Sequence, residues 1–328
     1  MTLKYFKLTL FSLFFFTGIL SAAKPVQKEK SAFSLFQKES PAYLFSYSTL
    51  NGEDGLHLVY SHDGIVWRSI NHGNTLVKPT IGTSKTMTEP CIAQDAEGIF
   101  HMVWNTSSNN SIGYATSKDL INWSEQKELP VMSNEPTVTK TCSPELYYDK
   151  LAKTFHLMWA STIPGRFPET EKTEDGFNNR LYSTTTTDFN TFTKTKMLFN
   201  PEFSVSEACY LKNKGSYYIF FTNDLDKNIQ YATSGRIKSF SSTVSEPING
   251  KKMAKGPTTL QIGDYLYVYW ENFMDKKIGG VRSKNIKKAI WEDVTDVIHF
   301  PAGVKQGSAF KVSNDILIGL QALEKASE

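Results

Sequence analysis

Five short segments of this 328-residue chain carry polar chemistry at a common place, the start of a strand-like stretch. They are Thr88-Glu-Pro-Cys-Ile92, Cys142-Ser-Pro-Glu-Leu146, Ser206-Glu-Ala-Cys-Tyr210, Lys255-Gly-Pro-Thr-Thr259 and Gln306-Gly-Ser-Ala-Phe310, and four of the five open with a charged residue or a polar-Pro pair. A lone glutamate at a strand start is ordinarily a solvated edge group. If the segments are equivalent positions of one ring, Glu89, Glu145, Glu207 and Lys255 instead converge on a single point. Low dielectric and like charge would shift their proton affinities there, which is the setting of acid–base work.

A ring is what the remaining pattern predicts. Five imperfect copies of one signature, a small residue, polar positions, then an aromatic, run from Ser61 to Trp67, Ser117 to Trp123, Thr186 to Phe192, Ser234 to Phe240 and Ser283 to Trp291. Ahead of each lies an aromatic-aliphatic stretch that reads as a strand: Tyr43 to Tyr47, Phe100 to Trp104, Phe155 to Trp159, Tyr217 to Phe221 and Tyr265 to Trp270. Turn formers such as Asn51-Gly52, Asp63-Gly64 and Ser107 to Ser111 separate the strands. A spacing of about fifty residues fits a blade of four strands, so the expected fold is all-β, a five-bladed β-propeller over residues 42–328. The first copy lacks an inner strand, and the tail Gln306 to Ser313 with Ile316 to Leu320 lacks outer partners. Pairing the two ends closes the ring and removes exposed sheet edges. No long amphipathic helix is expected.

The ends and composition limit the partners. Residues 1–23 combine Lys4 and Lys7, an apolar run from Leu8 to Leu20, and Ser21-Ala22-Ala23, which predicts a secretory signal cleaved near Ala23 and too short to span a membrane. A polar, Lys-rich segment, 24–41, follows, and the mature protein is expected to be secreted or periplasmic and monomeric. A formal charge of +3 gives no nucleic-acid footprint. Cys91, Cys142 and Cys209 are too few and too scattered for a disulfide framework or a zinc site, and read as small buried hydrophobes. No cofactor is required by any motif; a structural cation on the ring axis is compatible with the fold, although no ligand set demands one.

The inner-strand segments, with Trp159-Ala-Ser-Thr-Ile-Pro-Gly-Arg-Phe-Pro168, Asn179-Arg-Leu-Tyr182 and Thr187-Asp-Phe189, resemble family 43 glycoside hydrolases, which include β-xylosidases and α-L-arabinofuranosidases. The resemblance spans nearly all the mature chain. It implies an inverting mechanism in which one carboxylate activates water, a second protonates the leaving oxygen and a third tunes that acid. By motif position Glu89 would be the base and Glu207 the tuning group, each in place of Asp. Lys255 stands where the acid is expected and Gln306 where the family has a histidine.

Three readings follow. In hydrolysis of oligosaccharides from plant or algal polysaccharide, Glu145 or Glu271 would supply the missing proton. In elimination on a uronic-acid sugar, Lys255 would neutralise an enolate while Glu89 and Glu207 move protons. In binding without turnover, the sugar would only be held. For each, Arg166 and Arg180 are candidates to pair with an acidic group, and Trp104, Trp159, Trp270 and Tyr182 to stack on sugar faces. The insertion from Ile163 to Arg180 is expected to overhang the site as a surface loop.

Overall fold

A computed structural model describes residues 41–49, 51–170, 173–250 and 252–325. The expected signal segment 1–23 and polar segment 24–41 lie outside the described residues, apart from residue 41. In chain order the strands are β1 (Ala42–Tyr47), β2 (His57–Ser61), β3 (Arg68–Ser69), β4 (Thr88–Gln94), β5 (Phe100–Asn105), β6 (Ile112–Ser117), β7 (Lys127–Leu129), β8 (Lys140–Asp149), β9 (Thr154–Thr162) and β10 (Arg180–Thr186). There follow β11 (Lys196–Phe199), β12 (Val205–Asn213), β13 (Ser216–Asn223), β14 (Asn228–Ser234), β15 (Ala254–Ile262), β16 (Tyr265–Asn272), β17 (Ile278–Ser283), β18 (Glu292–Asp293) and β19 (Gly307–Val312).

They make five antiparallel sheets, four with four strands and one, β12-β13-β14, with three. The innermost strands are β4, β8, β12, β15 and β19. The last pairs with β1 from Ala42 opposite Val312 to Tyr47 opposite Gly307, so the two ends of the chain build one blade and close the propeller as expected.

Each second strand is buried along nearly its whole length because a neighbouring blade covers either face. Trp104 packs with Leu44 and Leu58 of the closing blade, Trp159 with Val103 and Tyr114 of the blade before it, and Trp270 with Phe220 and Tyr218. Trp104 sits directly opposite Gly113 on β6, where an added Cβ would fall 2.1 Å from the indole. That glycine is the slot into which the ring fits.

In the first three copies, at Ser61, Ser117 and Thr186, the repeated signature closes the outer end of the hairpin. Ser61 Oγ accepts from the amides of Asp63 and Gly64, Asp63 Oδ1 accepts from Ile65 and Val66, and the Trp67 indole donates to the Gly64 carbonyl. Ser117, Asp119 and Trp123 repeat the pattern, with the Trp123 indole donating to the Leu120 carbonyl. A small hydroxyl residue, an Asp two places on and an aromatic thus satisfy a whole turn internally.

One expectation fails at the tail. Ile316 to Leu320 is not a strand, and a twelve-residue helix, α1 (Asn314–Lys325), takes its place. Ser313 Oγ accepts from the Ile316 amide at the helix start, and Leu317 and Leu320 on one face join the core under the closing blade. No helix among the described residues is long and apolar enough to cross a membrane.

The glycine slot gives a stability test. Gly113→Ala drives a methyl into the buried Trp104 ring and is expected to cost about 1–3 kcal/mol, read as a fall of several degrees in Tm. An unchanged Tm would show that the indole is free to move and that the slot does not hold the blade interface.

Candidate active site

The inner strands do not enter the ring as regular strands. In β4, β8, β12 and β15 the register with the second strand shifts at the same place, between Thr88 and Cys91, Cys142 and Glu145, Ser206 and Cys209, and Lys255 and Thr258. Each shift holds one residue with positive φ: Glu89 at 54°, Ser143 at 53°, Glu207 at 49° and Gly256 at 64°. Left-handed backbone at a non-glycine residue costs about 1–3 kcal/mol and is concentrated at functional sites. The bulges fix which residues form the column: Glu89, Ser143, Glu207 and Gly256. Lys255 lies one residue before it and Glu145 two residues after, which corrects the expectation that both share a level with Glu89 and Glu207.

Gln306, at the entry of β19, ties the column together. Its Nε2 donates to Glu89 Oε1 at 2.7 Å and to Glu207 Oε1 at 2.9 Å. Both bonds leave one nitrogen, so the two accepting oxygens are no further apart than the bonds laid end to end. That is shorter than the roughly 6.5–9.5 Å that inverting glycosidases leave between acid and base. Gly256 must be glycine here, because a Cβ would lie 2.5 Å from Gln306 Cβ at a left-handed φ.

The two carboxylates have different surroundings. Glu207 Oε2 accepts from Thr222 Oγ1 at 2.9 Å and from the Gly256 amide at 2.9 Å, so both its oxygens are served by donors. Glu89 Oε2 is out of solvent with no hydrogen-bond partner among the described residues. Burial first, and the Glu207 charge second, push Glu89 up to about 7 against the pull of Ser143 and Lys255. Such a carboxyl keeps its proton near neutrality.

Two spaces meet at Glu89 and Gln306, and Glu207 lines the inner one. Below the column, a cavity of about 40 Å³ follows the axis and is lined by Pro90, Cys91, Glu145, Ala208, Pro257 and Ser308 among others, room for a few waters but not a sugar. Above it the mouth, about 430 Å³, is lined by Ser48, Thr49, Thr88, Lys255, Glu271, Phe273, Lys276 and Lys305. Only Glu89 and Gln306 line both.

Glu145 therefore faces the axial cavity and not the mouth. Glu271 does line the mouth, where its Oε2 accepts from the Gln306 amide at 3.1 Å and Oε1 lies 3.8 Å from Lys305 Nζ. Lys255 stands on the rim with its ammonium 5.7 Å from the Phe273 ring centre.

Several candidates are structural instead. Trp104 and Trp159 are wholly buried, and Trp270 and Tyr182 nearly so, because they fill the seams between blades; none has a ring face open to a sugar. Arg180 is also wholly buried: it donates to Asn178 Oδ1, the Asn179 carbonyl and Thr170 Oγ1 and stacks on Phe167, so it organises the long loop and reaches no ligand. Arg166 is committed to a two-pronged pair with Glu135 at 3.0 and 2.8 Å. The loop leaves β9 at Thr162, opposite Lys140 at the start of β8, which puts it at the mouth end of that blade as expected. Cys91, Cys142 and Cys209 are free and buried. Among the described residues no group of three or more His, Cys, Asp or Glu is placed to hold a metal ion.

Thr222, Phe273, Lys276 and Lys305 were not singled out from the sequence. Thr222 was detectable, since it is the next residue after the Tyr217 to Phe221 stretch and pairs with Ser206 beside the bulge. The other three sit in loops, where periodicity carries no information.

The axial carboxyl offers a thermodynamic check. Burial pushes Glu145 up to about 8 from its ordinary 4.5. A raised carboxyl contributes stability that is complete below pH 4.5 and lost as pH rises through 8. Glu145→Gln, which cannot ionise, is expected to match the native chain at pH 4 and to be more stable at pH 9 by up to about 5 kcal/mol. Equal stabilities at pH 9 would show that Glu145 is solvated.

The comparisons agree with this architecture. A family model described as a probable glycosyl hydrolase domain, of the group related to family 43, matches residues 39–315. An α-L-arabinofuranosidase from Lactobacillus brevis superposes with a TM-score of 0.51 at 13% identity, over 63% of this chain and 72% of that one. A family 43 protein from Bacillus licheniformis gives 0.51 at 16% identity, over 67% of this chain and 42% of its own, and a thermostable family 43 glycoside hydrolase gives 0.51 at 15%, over 67% and 74%. The chain thus spans less than half of the Bacillus protein and about three quarters of the other two. At such identities the likeness is one of fold. Among proteins of curated function, none matches the chain. The match over residues 39–315 decides the family: the chain belongs to the probable glycosyl hydrolase domains related to family 43 glycoside hydrolases.

Proposed function

We propose that this propeller hydrolyses O-glycosyl bonds of oligosaccharides from plant or algal polysaccharide, in the manner of the β-xylosidases and arabinofuranosidases of the related family. It would act as a monomer in the secreted or periplasmic space to which the 1–23 segment would direct it. The observation that carries the reading is the Glu89–Gln306–Glu207 bridge at the floor of the mouth, held on strained bulges where the axial cavity begins.

Carboxylates whose surroundings drive their proton affinities apart divide the roles of acid and base. The resemblance implied Glu89 as base and Glu207 as tuning group, but the surroundings favour a different division. Glu89, pushed up to about 7 and with an oxygen lacking any donor, suits the acid that protonates the leaving oxygen. Glu207, whose oxygens take three donated hydrogen bonds, suits the anion that accepts a proton from the attacking water. As the glycosidic C–O bond breaks, the Glu89 proton goes to the departing sugar. Water adds to the anomeric carbon from the opposite face and passes its proton to Glu207, and exchange with solvent resets the pair. A water fits only if substrate frees one carboxylate from the Gln306 amide, so that the gap widens towards the spacing that inversion needs. The mouth has the volume for a sugar or two, with the exposed Phe273 ring as a stacking face in place of the buried tryptophans. The position of Lys255, off the column and 5.7 Å from the centre of that ring, supports a role in binding over one in proton donation.

Leaving-group dependence separates the roles. Glu89→Gln is expected to lower kcat/KM on an unactivated oligosaccharide by about 10²–10⁴ and to be far milder on a 4-nitrophenyl glycoside, whose phenolate needs no proton. Glu207→Gln should impair both alike. In the native enzyme kcat/KM should fall as pH rises through about 7, where Glu89 loses its proton. The reverse pattern between the two variants would exchange the roles. Binding without product on any glycoside would make the chain a sugar-binding propeller.

A further inference from the structure

The mouth carries a charge asymmetry that hydrolysis of a neutral sugar does not require. Three lysines line it: Lys255 at the entry of β15, Lys276 in the loop after β16 and Lys305 just before β19. Among the described residues neither Lys255 nor Lys276 has a carboxylate within 4.0 Å, and the partner of Lys305, Glu271, is 3.8 Å away and also held by the Gln306 amide. The other carboxylate of the mouth, Glu89, is the one held near 7. The chain as a whole is nearly balanced, with 36 Lys and Arg against 33 Asp and Glu, whereas in the mouth three lysines face two glutamates. Three ammonium groups around one space repel one another, and a cavity with low-dielectric walls concentrates their field. An anion among them relieves that repulsion.

Resting on the hydrolytic reading above, we infer that the mouth selects an anionic sugar, with its acidic group on the lysine side and its glycosidic bond at Glu89, where the mouth meets the axial cavity that Glu207 lines. Phe273 fits this arrangement. Its ring is 40% exposed, Lys255 Nζ lies 5.7 Å and Lys227 Nζ 5.9 Å from its centre, and a pyranose laid on it would bring a carboxylate or sulfate to the ammonium groups. Ser48 and Thr88 also line the cavity and offer hydroxyls for the uncharged positions. Lysine acts as a point charge and does not discriminate by fork geometry, so a hexuronate carboxylate and a sulfate ester satisfy the same site.

The test measures kcat/KM, and separately affinity by calorimetry, for the full chain with three oligosaccharides matched in length: neutral, hexuronate-bearing and sulfate-bearing. Both acidic probes, or one of them, should exceed the neutral one, and the preference should shrink as salt rises from 20 to 500 mM, in keeping with screening. Lys276→Met and Lys255→Met should each reduce the ratio of acidic to neutral kcat/KM by about tenfold, the size of one lost charge contact. Which acidic probe leads identifies carboxylate or sulfate as the natural group. Turnover of the neutral probe at or above the acidic ones, with ratios unmoved in both variants, overturns the inference while leaving the hydrolytic reading intact. Lysine-dependent, salt-sensitive binding of an acidic probe without turnover of any of the three does the opposite.

Discussion

The site depends on a backbone constraint, one left-handed residue at the mouth end of four inner strands. A regular strand would send residues 89, 143, 207 and 256 along the same alternation as the residues that follow them. The bulge breaks that alternation and directs Glu89 and Glu207 towards the axis, where a single amide reaches both. Each left-handed side-chain residue is strained, and the closed ring offsets the strain. Ser46 Oγ donates to the Pro90 carbonyl from the closing blade, and buried Asp224 accepts from Ser204 and Ser206 beside Glu207. The glycine at 256 is the complement of this design, because the amide side chain that bridges the carboxylates occupies the space a Cβ would take.

How the blades pack explains what else is free to act. The second strand of each blade is covered on both faces, so its aromatics fill seams, and a tryptophan there is committed to the core however suitable its ring is for a sugar. Groups left for a ligand come from strand entries and mouth loops. Phe273, Lys276 and Lys305 are of this kind, and so is Lys255 at the start of its strand.

Most of the fold was legible because the repeat is local: Ser61-x-Asp63 and Ser117-x-Asp119 close their own turns, and nothing distant is needed to recognise them. Closure by β1 and β19 was equally legible from strands left unpaired at either end. The tail misled because five apolar residues fit either period; the spacing of Leu317 and Leu320 and the Ser313 cap were the discriminating marks of a helix. In the site, Glu89 and Glu207 were found because they hold the same position of aligned segments, and Gln306 because it opens the fifth of those segments. Glu145 was grouped with them because it carries the charge of its segment, and the bulge between Cys142 and Glu145, which sets it apart from the column, has no clear mark in the sequence. Arg180 could not be judged from the sequence at all, since its burial depends on a loop folding over it.

In the proposed reaction the bond is cleaved at the carboxylates that Gln306 bridges. A crystal structure of the Glu207→Gln variant with an intact oligosaccharide tests it most directly. The expected complex has a glycosidic oxygen within hydrogen-bonding distance of Glu89, the anomeric carbon above the Gln306 side-chain amide and a sugar ring on Phe273. A sugar seated away from the axial mouth, or one whose glycosidic oxygen is out of reach of Glu89, would contradict it.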